Sequence, residues 1–362
     1  MKIEITEKPR VIMSNSRSKH NYFGWPSVIR LDNGKLIVGA SGYRLDHVCP
    51  FGKAVIAYSE DDGKSFTSAV PVIDTCLDDR DVGLCKFGEN GVILTSFNNT
   101  RKMQRRHNAD NPPEMKAYIN SYLDLISDED EAAVIGSTFR VSLDGGVTFG
   151  SLFRCPVSSP HGPVELCDGA ILWVGYVFNT AEPGESFYDH IEAYTVNPLE
   201  GTTEYVGRIP DFYEGENRIT PSEPYVIELD NGTLLCHIRS EENFSTYQTE
   251  SNDKGKTWSV PQRILDDFGG APCHIFKHSS GVLCSLYGYR EKPYEIRAMF
   301  SDDNGKSWDK DYTLYVNGVS DDIGYPCSAE LPDGSIFTVF YAKESDESSP
   351  CVIYGMKWNI TE

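Results

Sequence analysis

An eight-residue turn, Ser-x-Asp-x-Gly-x-Ser/Thr-aromatic, occurs four times in this chain: SEDDGKSF at Ser59–Phe66, SLDGGVTF at Ser142–Phe149, SNDKGKTW at Ser251–Trp258 and SDDNGKSW at Ser301–Trp308. Each copy has the chemistry of a tight hairpin. The Asp side chain accepts backbone N–H groups inside the turn, Gly supplies a position of positive φ, and the aromatic packs into the neighbouring sheet. A second turn, centred on Gly and followed by an apolar strand, occurs six times, at Gly34, Gly91, Gly169, Gly232, Gly281 and Gly334. Six copies imply six units. The intervals of 57, 78, 63, 49 and 53 residues between these glycines each leave room for about four ordinary strands with their turns.

Repeats of that size predict an all-β fold, a six-bladed β-propeller of four-stranded antiparallel blades, as one domain over residues 1–362. A propeller ring is latched by strands from both ends of the chain. The run Cys351–Trp358 has no Gly-turn hairpin after it, and an extra strand-like run, Pro9–Met13, precedes the first repeat, so the two are expected to share the last blade. The longest interval holds residues 101–134, which depart from strand patterning. Met115, Tyr118, Ile119, Tyr122, Leu125 and Ile126 follow i, i+3, i+4, i+7 spacing there, predicting an inserted amphipathic helix packed on the propeller rim. A substrate lid and a homo-oligomer contact are its alternative roles.

Hydrophobic residues make up 40% of the chain, enough for a core. The formal charge of −21 sets a field that repels nucleic acid and anionic membrane surfaces, so neither is expected as a partner. An anionic ligand would need a local cluster of arginines against that field. The ten cysteines form no C-x-x-C pair and stand mostly in apolar runs, as buried free thiols would. Residues 1–8 lack the apolar stretch of a signal peptide, and no run is long enough to span a bilayer. A reducing cytoplasm fits both readings. The eight histidines show no paired ligand spacing, and no phosphate-cradling loop precedes a helix, so neither a metal nor another cofactor is expected.

The eight-residue turn is the Asp-box, and with six repeats the chain resembles the sialidase (neuraminidase) superfamily over nearly its whole length. Asp-boxes identify the fold and are silent on chemistry. Two further segments carry the functional resemblance. Glu223 begins EPYVIELDNGTLLCHIR, which ends sixteen residues on at Arg239, and Tyr325 leads YPCSAELPDGSIFTVFY. By resemblance, Tyr325 is the nucleophile and Glu223 its activating base. A carboxylate nucleophile would be repelled by an acidic sugar's own carboxylate, whereas a phenol polarised by a glutamate would not.

The same resemblance implies three arginines gripping the substrate carboxylate. Arg239 fits one, and Arg290 and Arg297 both compete for another. The blade-1 arginine is missing, since Phe23-Gly24-Trp25-Pro26 places Gly24 at its position. Losing one arm of such a clamp costs about 2–3 kcal/mol, unless Arg44 compensates. The family's general acid maps to the loop Tyr43–His47, with Asp46 the first candidate and His47 the second. Asp81 is an expected substrate contact, with Arg80 as its structural partner. His161 would bond a sugar hydroxyl or be structural, and Trp25 would be a sugar platform or a buried aromatic.

The implied function is a retaining exo-glycosidase for a terminal acidic sugar. The alternatives are a carbohydrate-binding propeller without hydrolysis, which would bind saturably and release no product, and a propeller glycosidase or lyase for a uronic-type sugar. A lyase would release an unsaturated product.

Overall fold

The computed structural model describes residues 1–177, 190–242, 244–266 and 272–361. Six antiparallel blade sheets follow one another along the chain, with a two-stranded hairpin, Tyr213–Glu214 and Asn217–Arg218, before blade 4. Blade 1 comprises Tyr22–Arg30, Leu36–Arg44, Lys53–Ser59 and Val70–Ile73; blade 2 comprises Arg80–Phe87, Gly91–Asn98, Gly136–Ser142 and Phe153–Cys155. In blade 3 the inner strand is split into Val157–Ser158 and Val164–Glu165, followed by Ile171–Val177, Ile191–Asn197 and Thr202–Arg208. Blade 4 is Pro221–Glu228, Leu234–Ser240, Thr246–Ser251 and Gln262–Leu265, and blade 5 is His274–Lys277, Leu283–Tyr289, Glu295–Ser301 and Asp309–Tyr315. Blade 6 orders Gly324–Glu330, Ile336–Lys343, Cys351–Thr361 and finally the N-terminal strand Lys2–Met13. The chain is therefore a six-bladed β-propeller latched as expected, with Arg10 opposite Gly355 and pairing continued out to Lys2 opposite Thr361. No helix among the described residues is long and apolar enough to cross a membrane.

Each blade is sandwiched between two others, so its second strand is buried on both faces and reads as a continuous apolar run instead of an alternating one. Leu36–Ala40 and Val92–Leu94 are such runs. Burying one such Ile or Leu stabilises by about 1.5–3 kcal/mol. The largest buried cluster joins blades 1 and 6 through Tyr22, Phe23, Trp25, Tyr325, Val339 and Tyr341.

The Asp-boxes turn between the third and fourth strands of blades 1, 2, 4 and 5. In the first, Asp61 accepts Ser65 N–H at 2.9 Å and Ser65 Oγ at 2.6 Å, while Ser59 Oγ accepts Gly63 N–H at 2.9 Å. Gly63 has φ 81°, and a Cβ on it would stand 2.6 Å from Phe337 of blade 6. Glycine is thus required twice, by the turn and by docking on the preceding blade. Phe66 stacks on the same Phe337 at 5.7 Å.

Three expectations need correction. In blade 2 the positive-φ glycine of the hairpin is Gly88, at 52°, and Gly91 already begins the next strand. The inserted segment is three short helices, α1 (Arg101–His107), α2 (Pro113–Leu123) and α3 (Asp128–Val134). Thr100 caps α1 and a Ser127/Asp130 capping box starts α3, which divides the run that periodicity joined. Ile119, Leu123 and Ile126 pack on Leu77, but Leu125 is 81% exposed. Lastly, all ten cysteines are free, yet Cys167 is exposed and Cys76 only half-buried.

Candidate active site

Four inner strands start with the same irregularity. Opposite a two-residue step on the second strand, each takes a three-residue step, from Gly24 to Ser27, Arg80 to Gly83, Ser222 to Tyr225 and Gly324 to Cys327. One extra residue at the same place is a β-bulge, which re-aims a side chain. The residue following each first position has left-handed backbone: Trp25 at φ 52°, Asp81 at 45°, Glu223 at 47° and Tyr325 at 50°. None is glycine, so each carries a cost of about 1–3 kcal/mol that the fold must offset. All four line one cavity of about 350 Å³, together with His47, Val48, Arg80, Phe97, Asn99, Met103, His107, Arg239, Glu241 and Arg290. A roomier cleft of about 590 Å³ on the flank of blade 1, lined by His20, Pro50, Phe51 and Tyr122 among others, has no comparable set of bulged side chains.

At the cavity wall the Tyr325 hydroxyl donates a hydrogen bond to Glu223 Oε1, and Arg239 Nη1 donates to Glu223 Oε2. Burial, reinforced by the carboxylates of Glu223 and Asp81 and opposed by Arg239 and Arg290, holds the Tyr325 pKa well above the ordinary phenol value. The phenol is therefore protonated at rest, and Glu223 is the group placed to receive its proton. Arg239 also faces Glu241 at 3.7 Å. Arg290 donates through Nε to the Ile323 carbonyl at 2.8 Å and through Nη2 to Tyr341 Oη at 2.7 Å, its guanidinium lying 5.8 Å from the centre of the Tyr325 ring.

The other sequence candidates separate. Arg297 pairs with Glu295 at 2.6 Å, stacks 3.7 Å over Tyr289 and does not line the cavity. Arg44 is fully buried, bound to both oxygens of Asp78 at 2.5 and 2.9 Å, and is not free to reach a ligand. Asp46 is exposed, outside the cavity, and accepts the His47 N–H at 2.7 Å. His47 does line the cavity, with Nδ1 2.9 Å from Asp322. Its side chain is half-exposed toward the cavity; desolvation lowers its pKa although Asp322 opposes the shift. His161 is buried, 3.2 Å from Ser27 Oγ, and its ring lies 6.5 Å from that of Tyr325 without lining the cavity. Trp25 is only 1% exposed and its face is covered by the Arg80 guanidinium at 4.1 Å, so it is a buried wall and not an open sugar platform.

Arg80 makes no ion pair with Asp81. It donates to the His47 carbonyl at 2.9 Å and lies 3.6 Å from Asp78. By bulge register, Arg80 holds in blade 2 the position that Gly24 holds in blade 1. Its side chain leans over the Trp25 ring of blade 1. Sequence reading also missed Asn99, Met103 and His107. Their signal was topological: the insertion leaves blade 2 between its second and third strands, and Phe97 near that exit pairs with Arg80.

Asp81 carries a stability prediction. Burial, opposed by Arg80 and reinforced by Glu223, pushes its pKa from 3.8 up to about 7. Between those values the folded state keeps a proton that the unfolded state has released, so ionisation penalises folding increasingly from pH 4 to 7 and fully above. Asparagine escapes the penalty and tolerates left-handed backbone. Asp81→Asn is expected to stabilise the protein by about 2–4 kcal/mol at pH 8 and by much less at pH 5. Calorimetric melting at both pH values checks this, and equal gains would contradict it.

A six-bladed propeller with Asp-box turns and a charged cavity at its inner strands is a BNR-type propeller. The BNR repeat-like domain family matches residues 137–338, more than half the chain, and the protein belongs to that family. Among solved structures it is similar to a protein of unknown function from Dyadobacter fermentans, with TM-score 0.78, 18% identity and 99% of both chains covered. It is also similar to the NanB sialidase of Streptococcus pneumoniae, with TM-score 0.69, 12% identity, and 97% of this chain and 70% of that one covered. The intramolecular trans-sialidase of Ruminococcus gnavus aligns with TM-score 0.66, 14% identity, and 96% and 97% coverage. At these identities the likeness is one of fold. No curated protein matches the sequence.

Proposed function

We propose that the protein is a retaining glycosidase of sialidase type that hydrolyses a terminal acidic sugar, with Tyr325 as nucleophile and Glu223 as the base that receives its proton. The observation carrying this reading is the Tyr325–Glu223 hydrogen bond, made by two residues on bulged, left-handed backbone in blades 4 and 6 that meet inside one cavity. A core tyrosine needs neither the strain nor a buried glutamate held by an arginine. Arg80, Arg239 and Arg290 face Asp81, Glu223 and Glu241 there, so the cavity approaches neutrality, and becomes positive when Asp81 is protonated, in a chain of net charge −21. That local balance suits an anionic sugar. Because Arg80 stands in blade 2 and Trp25 fills the blade-1 side, the favoured glycone differs in shape from one held by a blade-1 arginine.

The test is a panel of 4-methylumbelliferyl glycosides covering sialosides, uronides and neutral sugars. Turnover of an acidic member with retained anomeric configuration, followed by proton NMR, is expected. Saturable binding without product would favour a carbohydrate-binding propeller, and an unsaturated, ultraviolet-absorbing product a lyase; either overturns the proposal.

A further inference from the structure

Among the carboxyl groups that line the cavity, Asp81 is the one without a protein partner. Glu223 is held by Tyr325 and Arg239, and Glu241 by Ser222 at 2.5 Å and by Arg239. Asp81 is 6% exposed, and no hydrogen bond or ion pair from the described residues reaches its carboxyl; Oδ1 is both buried and unsatisfied. Leaving a buried carboxyl in that state is unfavourable, and the left-handed backbone adds to the cost. A structural role does not account for such a residue, since it holds nothing in place. A ligand that fills the cavity would supply the missing partner.

The reaction proposed above requires a proton donor for the departing oxygen. Asp46 is exposed and does not line the cavity. His47 does line it, but its pKa is lowered; the neutral imidazole keeps its one proton on Nδ1 toward Asp322, so Nε2 has none to give. We propose that Asp81 is the general acid and base of this site, an assignment that rests on the glycosidase reading. As the bond between anomeric carbon and glycosidic oxygen breaks, the Asp81 carboxyl gives its proton to that oxygen and the aglycone leaves as a neutral alcohol. Tyr325 Oη bonds to the anomeric carbon and its proton passes to Glu223. In the second half, the Asp81 carboxylate takes a proton from water, whose oxygen bonds to the anomeric carbon. The Tyr325–carbon bond then breaks, and Glu223 returns the proton to the phenoxide.

The surroundings hold Asp81 ready for both roles. Arg80 on its own strand and Arg44 in blade 1 favour the carboxylate, whereas burial, Glu223 in blade 4 and Asp78 in the preceding loop favour the acid. Tyr325 in blade 6, Arg239 on and Glu241 just past the second strand of blade 4, Arg290 just past that of blade 5, His47, and His107 of α1 complete the titratable and charged groups around the cavity. A group that exchanges its proton near neutrality suits acid–base catalysis in a single cycle.

The experiment compares Asp81→Asn with wild type on the 4-methylumbelliferyl and the methyl glycoside of the sugar that the panel selects. The value of kcat/KM reports the step in which the leaving group departs. It should fall by about 10³-fold for the methyl glycoside, whose alkoxide cannot leave unprotonated, and by less than about tenfold for the aryl glycoside. The wild-type pH profile should lose activity on the alkaline side with a midpoint near 7, and that limb should vanish in the variant. Equal losses on both substrates, or a wild-type profile without the limb, overturn the Asp81 assignment while leaving Tyr325 and Glu223 in place. A wild-type protein that cleaves no glycoside overturns the glycosidase reading itself. Circular dichroism of the variant checks that the fold is retained.

Discussion

Tyr325→Phe is expected to lower kcat on the selected glycoside by about 10³-fold or more while leaving the propeller folded. The phenylalanine ring keeps the contacts of Tyr325 with Trp25 at 6.4 Å and Tyr341 at 5.9 Å, and meets the same backbone strain at φ 50°. What it loses is the hydroxyl oxygen, the proposed nucleophile, and its hydrogen bond to Glu223. Arg239 still satisfies the other Glu223 oxygen, so the stability loss should stay near 1–3 kcal/mol, the cost of one deprived acceptor. Ligand binding should persist, because the arginines are untouched. Rapid-quench kinetics should show no covalent glycosyl-enzyme in the variant where wild type accumulates one. Wild-type turnover in Tyr325→Phe would remove Tyr325 as nucleophile; a fall in affinity with kcat unchanged would make it a binding residue only.

The register of the blades explains which parts of this site could be read from sequence. Glu223 and Arg239 lie sixteen residues apart because Ser222 pairs with Arg239 across a hairpin, and hairpin geometry fixes such a spacing wherever the blade recurs. The same holds for Tyr325, whose neighbour Gly324 pairs with Tyr341. Arg44 misled for the matching reason. Gly24 pairs with Ser41, so Ser41 and not Arg44 is the blade-1 counterpart of Arg239, and a side chain three residues farther along passes the cavity and turns to Asp78. Arg80 was visible as a residue, but its equivalence to Gly24 appears only once the bulges are aligned. Nothing local announced Met103 and His107, since their arrival at the cavity depends on how α1 folds back over blade 2. The Asp-boxes were legible because the bonds that shape each turn are local. The division of residues 101–134 into three helices was not, since the caps at Thr100 and Ser127 compete with an apolar periodicity that runs through them.

Arg44→Met is expected to destabilise the protein by about 3–5 kcal/mol, the effect of stranding one member of a buried ion pair. Both Arg44 and Asp78 are fully buried, and Asp78 is left with Gln104 at 3.0 Å and the more distant Arg80 once the guanidinium is gone. Asp78→Ala should cost a similar amount by leaving Arg44 unpaired, and the double variant should lose clearly less than the two single losses combined. Urea unfolding of the four proteins measures that coupling. The site should respond as well, since Arg44 also donates to the His47 carbonyl at 3.1 Å and the Asp46 carbonyl at 3.3 Å, while Asp78 holds Gln104 of α1. The cluster therefore anchors two walls of the cavity without touching its contents. A positioning role predicts that Arg44→Lys, which keeps the charge but not the two-pronged geometry, recovers only part of the stability. It also predicts that kcat declines more than affinity, because Arg44 is one of the charges that set the proton on Asp81, while Arg80, Arg239 and Arg290 still face the ligand. A selective rise in KM at unchanged stability would instead make Arg44 a direct ligand of the sugar carboxylate, and would require the guanidinium to leave Asp78 whenever substrate binds.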